Sequence, residues 1–315
     1  MDEFYSKQNA AKSLEQIIKD RDSALGADSE ANDLYLATTK LANCTTRFFN
    51  QPRAWRLCIE KGPDSSLEEA CFRVQGVLCG KDLPPVVLNG ARKYLRQNVK
   101  LTGLGNEDMV RCINQIEAIY LKLSNHFKEG SLEPWQPSMF DGNPALEANA
   151  RYFTQANHSA AGDIVEFAPY VDASGSLREL MEADYVHTSD NRVDYMEQLI
   201  GPDGARMYRA VDPVVFKHGD IVEATVSFAA IPTKNNSAKM HIQLRALLLL
   251  DQTERNAAAI LRMRRRYQTI DFGATLQQQG QPVLKRRIMY YETGDTDTEE
   301  AGRRFNRMRV DSDSE

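Results

Sequence analysis

At 315 residues, with 42% hydrophobic and 26% charged side chains, the chain has the length for two ordinary domains and the composition of a folded protein. Its net charge of −5 is unevenly spread: residues 251–291 hold eight basic against three acidic side chains, and 292–315 hold four against eight. No apolar run approaches the roughly 20 residues that span a bilayer. The opening Met1-Asp2-Glu3-Phe4 lacks the basic start of a secretory signal, so a cytoplasmic or nuclear protein without a membrane partner is expected.

Residues 6–25 are rich in good helix formers, with Ala11, Leu14, Ile17 and Ile18 near one face and Gly26 as a stop. A second helical run is read over 29–50 through Leu34, Leu36, Leu41 and Phe48, and a short one around Trp55–Ile59. Ser65 or Ser66 ahead of Glu68-Glu69 resembles a capping box, opening a helix through Ala70, Phe72, Val74, Val77 and Leu78. Pro84-Pro85 opens another through Leu95. The clearest helix is 106–127, capped by Asn106 and striped by Met109, Ile113, Ile116, Ile119, Tyr120 and Leu123. Together these predict an N-terminal all-α helical bundle over 1–128.

Residues 129–162 read as a linker, Pro- and Gly-rich at first, with a short helix at 145–156. From Ile164 the period becomes two. Short strands are expected at 164–167, 193–197 and 207–211, with a turn at Gly201-Pro202-Asp203-Gly204. The strongest strands are 221–231 and 239–250. In the second, Met240, Ile242 and Leu244 alternate with His241, Gln243 and Arg245. This predicts an antiparallel β module over 163–251, a small barrel or sandwich. A basic helical extension follows over 252–291, then an acidic tail at 292–315 too poor in apolar residues to fold. The fold class expected is therefore α+β.

Three patterns inside the module carry a resemblance. They are Tyr185-Val186-His187-Thr188-x-Asp190-Asn191-x-Val193-x-Tyr195, Phe216-x-x-Gly219-Asp220-Ile221-Val222-Glu223-x-x-Val226-Ser227-Phe228, and Leu244-Arg245-Ala246-Leu247-x-Leu249-Leu250-Asp251. Over 184–251 the chain resembles uncharacterised proteins abundant in mushroom-forming fungi. The resemblance implies a recurring module and brings no established activity.

Candidate chemistry is sparse. Five cysteines (Cys44, Cys58, Cys71, Cys79, Cys112) are odd in number and form no CxxC pair, so they read as small core hydrophobes. A two-histidine, one-carboxylate iron site of the oxygenase kind has His187, Asp190 and His241 as its available trio, with Arg245 nearby as a carboxylate anchor. The spacing argues against it, and Thr188–Asn191 has the residues of an ordinary turn. His158-Ser159 near Asp163 lacks a nucleophile elbow, and no phosphate-binding glycine loop occurs. His126 sits at a helix end and reads as a cap.

The one polarised feature is the basic run Arg262, Arg264, Arg265, Arg266 and Tyr267, followed by Lys285, Arg286 and Arg287. Cations interleaved with aromatics suit phosphates and stacked bases, and a small barrel of the oligonucleotide-binding type suits such a ligand. The bland alternative pairs these arginines with the acidic tail. The expectation is a non-enzymatic binding or adaptor protein without a cofactor, acting on an unknown protein partner or by self-association. Nucleic acid is the alternative partner, and a metal-dependent enzyme ranks last.

Overall fold

The computed structural model describes residues 1–25, 34–61, 66–86, 94–159, 163–181, 184–201, 205–233 and 237–269. Helix α1 (Lys7–Leu25) leads into strands β1 (Cys44–Asn50), β2 (Arg53–Lys61), β3 (Ser66–Glu69), β4 (Phe72–Asp82) and β5 (Arg96–Thr102). Helix α2 (Glu107–Ser124) precedes β6 (Ser138–Phe140), β7 (Asn143–Arg151) and β8 (Thr154–Gln155). A single helical turn, α3 (Ser176–Glu179), is followed by β9 (Tyr185–Val186), β10 (Asp194–Ile200) and β11 (Arg206–Ala210). The long hairpin β12 (Ile221–Pro232) and β13 (Ala238–Asp251) then runs into α4 (Thr253–Thr269).

Eleven of these strands form one mixed sheet in the order β1-β2-β12-β4-β5-β7-β13-β10-β11, with β3 added to β2 and β6 to β7. Because β12 also pairs with β13, five of them, β4-β5-β7-β13-β12, close into a barrel. All its seams are antiparallel except β7 with β13, which run parallel at Gln243 and Asn149. Closure removes the edges that five strands would otherwise expose. The interior is filled by Phe72, Val74, Val99, Leu101, Ala148, Val226, Phe228, Ile242 and Leu244, and α2 adds Met109, Ile116 and Ile119 to the same core.

This overturns the expected α+β division. Residues 44–61 and 66–82 are strands, not helices, and 145–151 belongs to β7 rather than to a linker helix. Among the described residues the only long helix between α1 and α4 is α2. Its capping is as read: the Asn106 side chain accepts from the Asp108 N–H at 2.7 Å, with Glu107 and Asp108 in the first turn. Nor is 163–251 an antiparallel module of its own. Its strand β12 pairs with β4 and β2 from the first half, and β10 lies parallel to β13. At 164–167 only Ile164 forms an isolated bridge. The turn at 202–204, the stretch 87–93 and everything beyond 269, including the acidic tail, lie outside the described residues.

The N-terminal segment straps one side of the barrel. Tyr5, Ala10, Leu14 and Ile18 pack with Val77, Ile221 and Ala258 into a second small core. Tyr5 lies so close over Gly219 that an added Cβ would sit 2.5 Å from its ring, and its hydroxyl donates to the Gly219 carbonyl at 2.8 Å. Gly219 also has φ of +96°, so glycine is required there twice over.

Candidate nucleic-acid interface

The pleat decides which residues of the barrel wall face outward. On β5, Val99 and Leu101 point into the core and Arg96, Asn98 and Lys100 point out; on β7 the outward set is Glu147, Asn149 and Arg151. On β13 it is Lys239, His241, Gln243 and Arg245. The β5–β7 register sets Arg96 opposite Arg151, Asn98 opposite Asn149 and Lys100 opposite Glu147. Like charges directly opposite on neighbouring strands destabilise a sheet, so the Arg96–Arg151 pair is an arrangement that an anion would relieve. The Arg96 guanidinium donates to Asn149 Oδ1 at 2.6 Å. Neither Arg151 nor Lys239 has a carboxylate partner among the described residues.

His241 stands within the fields of Arg96, Arg151 and Lys239. Burial first, and then those three cations, push its imidazole down to about 4, so it is neutral at pH 7. Beside it lies a groove of about 670 Å³ lined by Arg96, Asn149, Lys239, His241 and the half-buried Trp135. That volume falls within the range of ordinary ligand sites. Two carboxylates, Glu133 and Glu147, also line it, so its positive character rests on Arg96 and Lys239, with Arg151 standing opposite Arg96 on β7. Trp135 is carried by 133–138, which runs along the start of β13. The Glu133 N–H donates to the Ala238 carbonyl at 2.8 Å, and the Ala238 N–H to the Ser131 carbonyl at 2.7 Å. What reads in sequence as a linker is therefore one wall of the groove. Cations for phosphates, ring faces for stacking and the side-chain amides of Gln136 and Asn149 for base edges are the groups a flexible nucleic-acid strand uses.

The candidate iron trio, already disfavoured by its spacing, is not brought together. His187 is buried, its Nδ1 2.8 Å from the Tyr152 carbonyl and its ring stacked on Phe167. Asp190 belongs to a charge quartet: Arg56 grips it twice at 2.8 Å, and Arg245 donates to it at 2.7 Å and to Glu69 at 2.6 Å. Burial works to raise the Asp190 carboxyl, but the two guanidiniums prevail and hold it well below the carboxylate range. Arg245 is thus spent within the protein, and only His241 faces the groove. Among the described residues no cluster of three or more His, Cys, Asp or Glu is placed to hold a metal.

The arginines of α4 are not brought to the groove either. They follow the end of β13, whereas Lys239 and His241 lie at its start, about 40 Å away along the strand. Arg262 pairs with Asp2 at 2.5 Å, and Arg265 pairs with Glu3 and lies over the Phe4 ring, so both answer the N-terminal acids. Arg264 is exposed and has no ion-pair partner among the described residues, and Arg266 has a partner. The side chain of Tyr267 and all of Lys285, Arg286 and Arg287 lie outside the described residues. His126, read as a cap, stacks on Trp55 with ring centroids 3.7 Å apart and bonds the Thr46 hydroxyl. Burial pushes the thiols of Cys58, Cys71 and Cys79 up to about 11, which leaves them poor nucleophiles at neutral pH.

No family model matches the chain, and no curated protein matches it. Among solved structures it is similar to a single-stranded DNA-binding protein from bacteriophage Enc34, at 12% identity and a TM-score of 0.27, covering 65% of this chain and 88% of that one. A C-terminal truncation of the same phage protein matches at 9% identity and a TM-score of 0.28, covering 67% of this chain and 97% of that one. At that level of superposition the likeness carries no functional weight.

Proposed function

We propose that this chain binds single-stranded nucleic acid across the outer face of β5, β7 and β13. The observation that carries the reading is the Arg96–Arg151 pair. Two guanidiniums stand directly opposite each other, beside Lys239, a neutral His241 and the Trp135 groove, on the outer wall of the barrel. The barrel supports it independently. A five-stranded Greek-key barrel is the frame of the oligonucleotide- and oligosaccharide-binding fold, whose ligands lie across its second and third strands. Here those strands are β5 and β7. The adaptor reading has no comparable feature behind it, and the α4 arginines serve at most as an outlying contact through Arg264.

The test is a titration of labelled single- and double-stranded DNA and RNA at several salt concentrations, followed by anisotropy and by tryptophan quenching. Single strands are expected to bind more tightly than duplexes, with affinity falling steeply as salt rises. Trp135→Ala is expected to weaken single-strand binding by roughly 5- to 150-fold, the worth of one stacked base. A salt-insensitive response, or full affinity in Trp135→Ala together with Arg151→Ala, overturns the proposal.

A further inference from the structure

The end of the sheet opposite β1 carries a surface that nucleic-acid binding does not explain. Strand β11 is the last in the sheet order, and every one of its residues is exposed. Its hairpin also shows large apolar side chains to solvent: Ile200 is 72% exposed, Met207 51% and Tyr208 53%. Open strand edges are templates for further pairing, and proteins that keep them single blunt them.

The ladder to β10 fixes which backbone groups remain open. The hairpin closes with the Gly201 N–H on the Ala205 carbonyl at 2.8 Å, and its far end has the Val211 N–H on the Tyr195 carbonyl at 3.0 Å. Bonded and non-bonded pairs alternate in an antiparallel ladder, so the bonded pairs between those limits are Leu199 with Met207 and Glu197 with Arg209. Arg206, Tyr208 and Ala210 therefore turn their three N–H and three C=O groups away from β10, toward an edge that no other described strand pairs with.

We infer that this edge is a docking surface for a second copy of this chain, joined through antiparallel β11–β11 pairing about a two-fold axis at Tyr208. That register sets Tyr208 opposite itself, Arg206 opposite Ala210 and Met207 opposite Arg209. It pairs all of the outward groups of the strand at once. A two-fold centred on Arg206 or Arg209 instead sets that arginine against its own copy, and one centred on Met207 or Ala210 leaves part of the edge unpaired. Charge thus agrees with hydrogen bonding on one register. Arg209 is already neutralised by Glu197 across β10, which lets its stem lie over Met207 of the other copy. Such an interface is isologous and closes at two copies.

Because the Tyr208 N–H points outward, Tyr208→Pro removes a donor from the free edge and none from the β10 ladder, where proline at an edge is tolerated. The full chain is expected to sediment as a dimer and Tyr208→Pro as a folded monomer with an unchanged circular-dichroism spectrum, its unfolding midpoint no longer depending on protein concentration. Should Tyr208→Pro fail to fold, Tyr208→Cys decides. Cα atoms of a bonded pair lie about 5.5 Å apart, so a short bis-maleimide is expected to join two Tyr208→Cys chains efficiently while leaving the parent chain single. A monomeric parent, a dimer that survives Tyr208→Pro, or no crosslinking in Tyr208→Cys overturns the inference. None of these outcomes bears on the groove at His241.

Discussion

The barrel has two outer faces built from the same kind of strand, and they differ in where their charges go. Over β4 and β12 the wall is covered by α1. There Gln75 donates to Glu223 at 2.9 Å, Arg21 pairs with Asp108 at 3.3 Å and lies over the Tyr35 ring, and all the polar groups named are answered from within the protein. On the outer wall of β5, β7 and β13, Arg96 instead faces Arg151 across the strands, and its guanidinium is held by the Asn149 side chain. Burial forces charges to be paired, since an unpaired buried ion costs several kcal/mol. Arg151 and Lys239 are exposed and carry no such demand, so they stand without a carboxylate partner among the described residues. The covered face is where stability resides, and the open one is free to serve a ligand.

The sharpest way to break this comparison is to damage the covered face and ask whether the open one notices. Leu14 of α1 is fully buried against Val77 and Ile221. Leu14→Ala is expected to lower unfolding free energy by about 2–5 kcal/mol, read by denaturant titration. Its oligonucleotide affinity under folding conditions should be unaltered. A large affinity loss with intact folding would mean that the two faces are coupled.

The second test uses acid. His241 is held down to about 4 in the folded chain, against about 6.5 when unfolded. The unfolded state therefore takes up the proton first, and stability falls as pH drops from about 6.5 toward 4, by at most about 3.4 kcal/mol. His241→Gln is expected to flatten that part of the stability profile. A bound phosphate strand reverses the local field and raises the His241 pKa. Binding then draws in a proton, and affinity rises as pH falls through the same window. Parallel pH profiles for the parent and His241→Gln would remove His241 from the groove's electrostatics.

How far each face was legible in the sequence follows from the same contrast. In β13 polar and apolar residues alternate cleanly over 239–244, and the strand was read with its outward His241, Gln243 and Arg245. Strand β4 is buried on both sides, inside by the barrel and outside by α1, so the alternation is lost. Its Val74, Val77 and Leu78, with Ala70 just ahead of the strand, then fit helical spacing equally well. Strand β7 misleads through composition: Ala145, Leu146, Glu147 and Ala148 are good helix formers that pairing with β5 holds extended. The groove fared worse because its members come from three strands and one connecting segment. Arg96 meets Asn149 across 53 positions of sequence, and closure of that kind leaves no periodic trace. One signal was available. Residues 96–101 alternate Arg, Asn and Lys with Gln, Val and Leu, the pattern of a half-buried strand with a basic outer face.

The finest test reads both properties from one side chain. If Arg151 stands opposite Arg96 only because the open wall tolerates it, removing it relieves repulsion. Arg151→Ala is then expected to leave stability unchanged or to raise it by a few tenths of a kcal/mol, the scale of a cross-strand pair. If Arg151 also contacts a phosphate, the same change weakens single-strand binding uniformly across sequences and reduces the salt dependence by about 0.7 in log–log slope. Only a functional cation gives that combination. A structural arginine would lose stability and keep its slope, as Arg245 is placed to do with Asp190 and Glu69 around it.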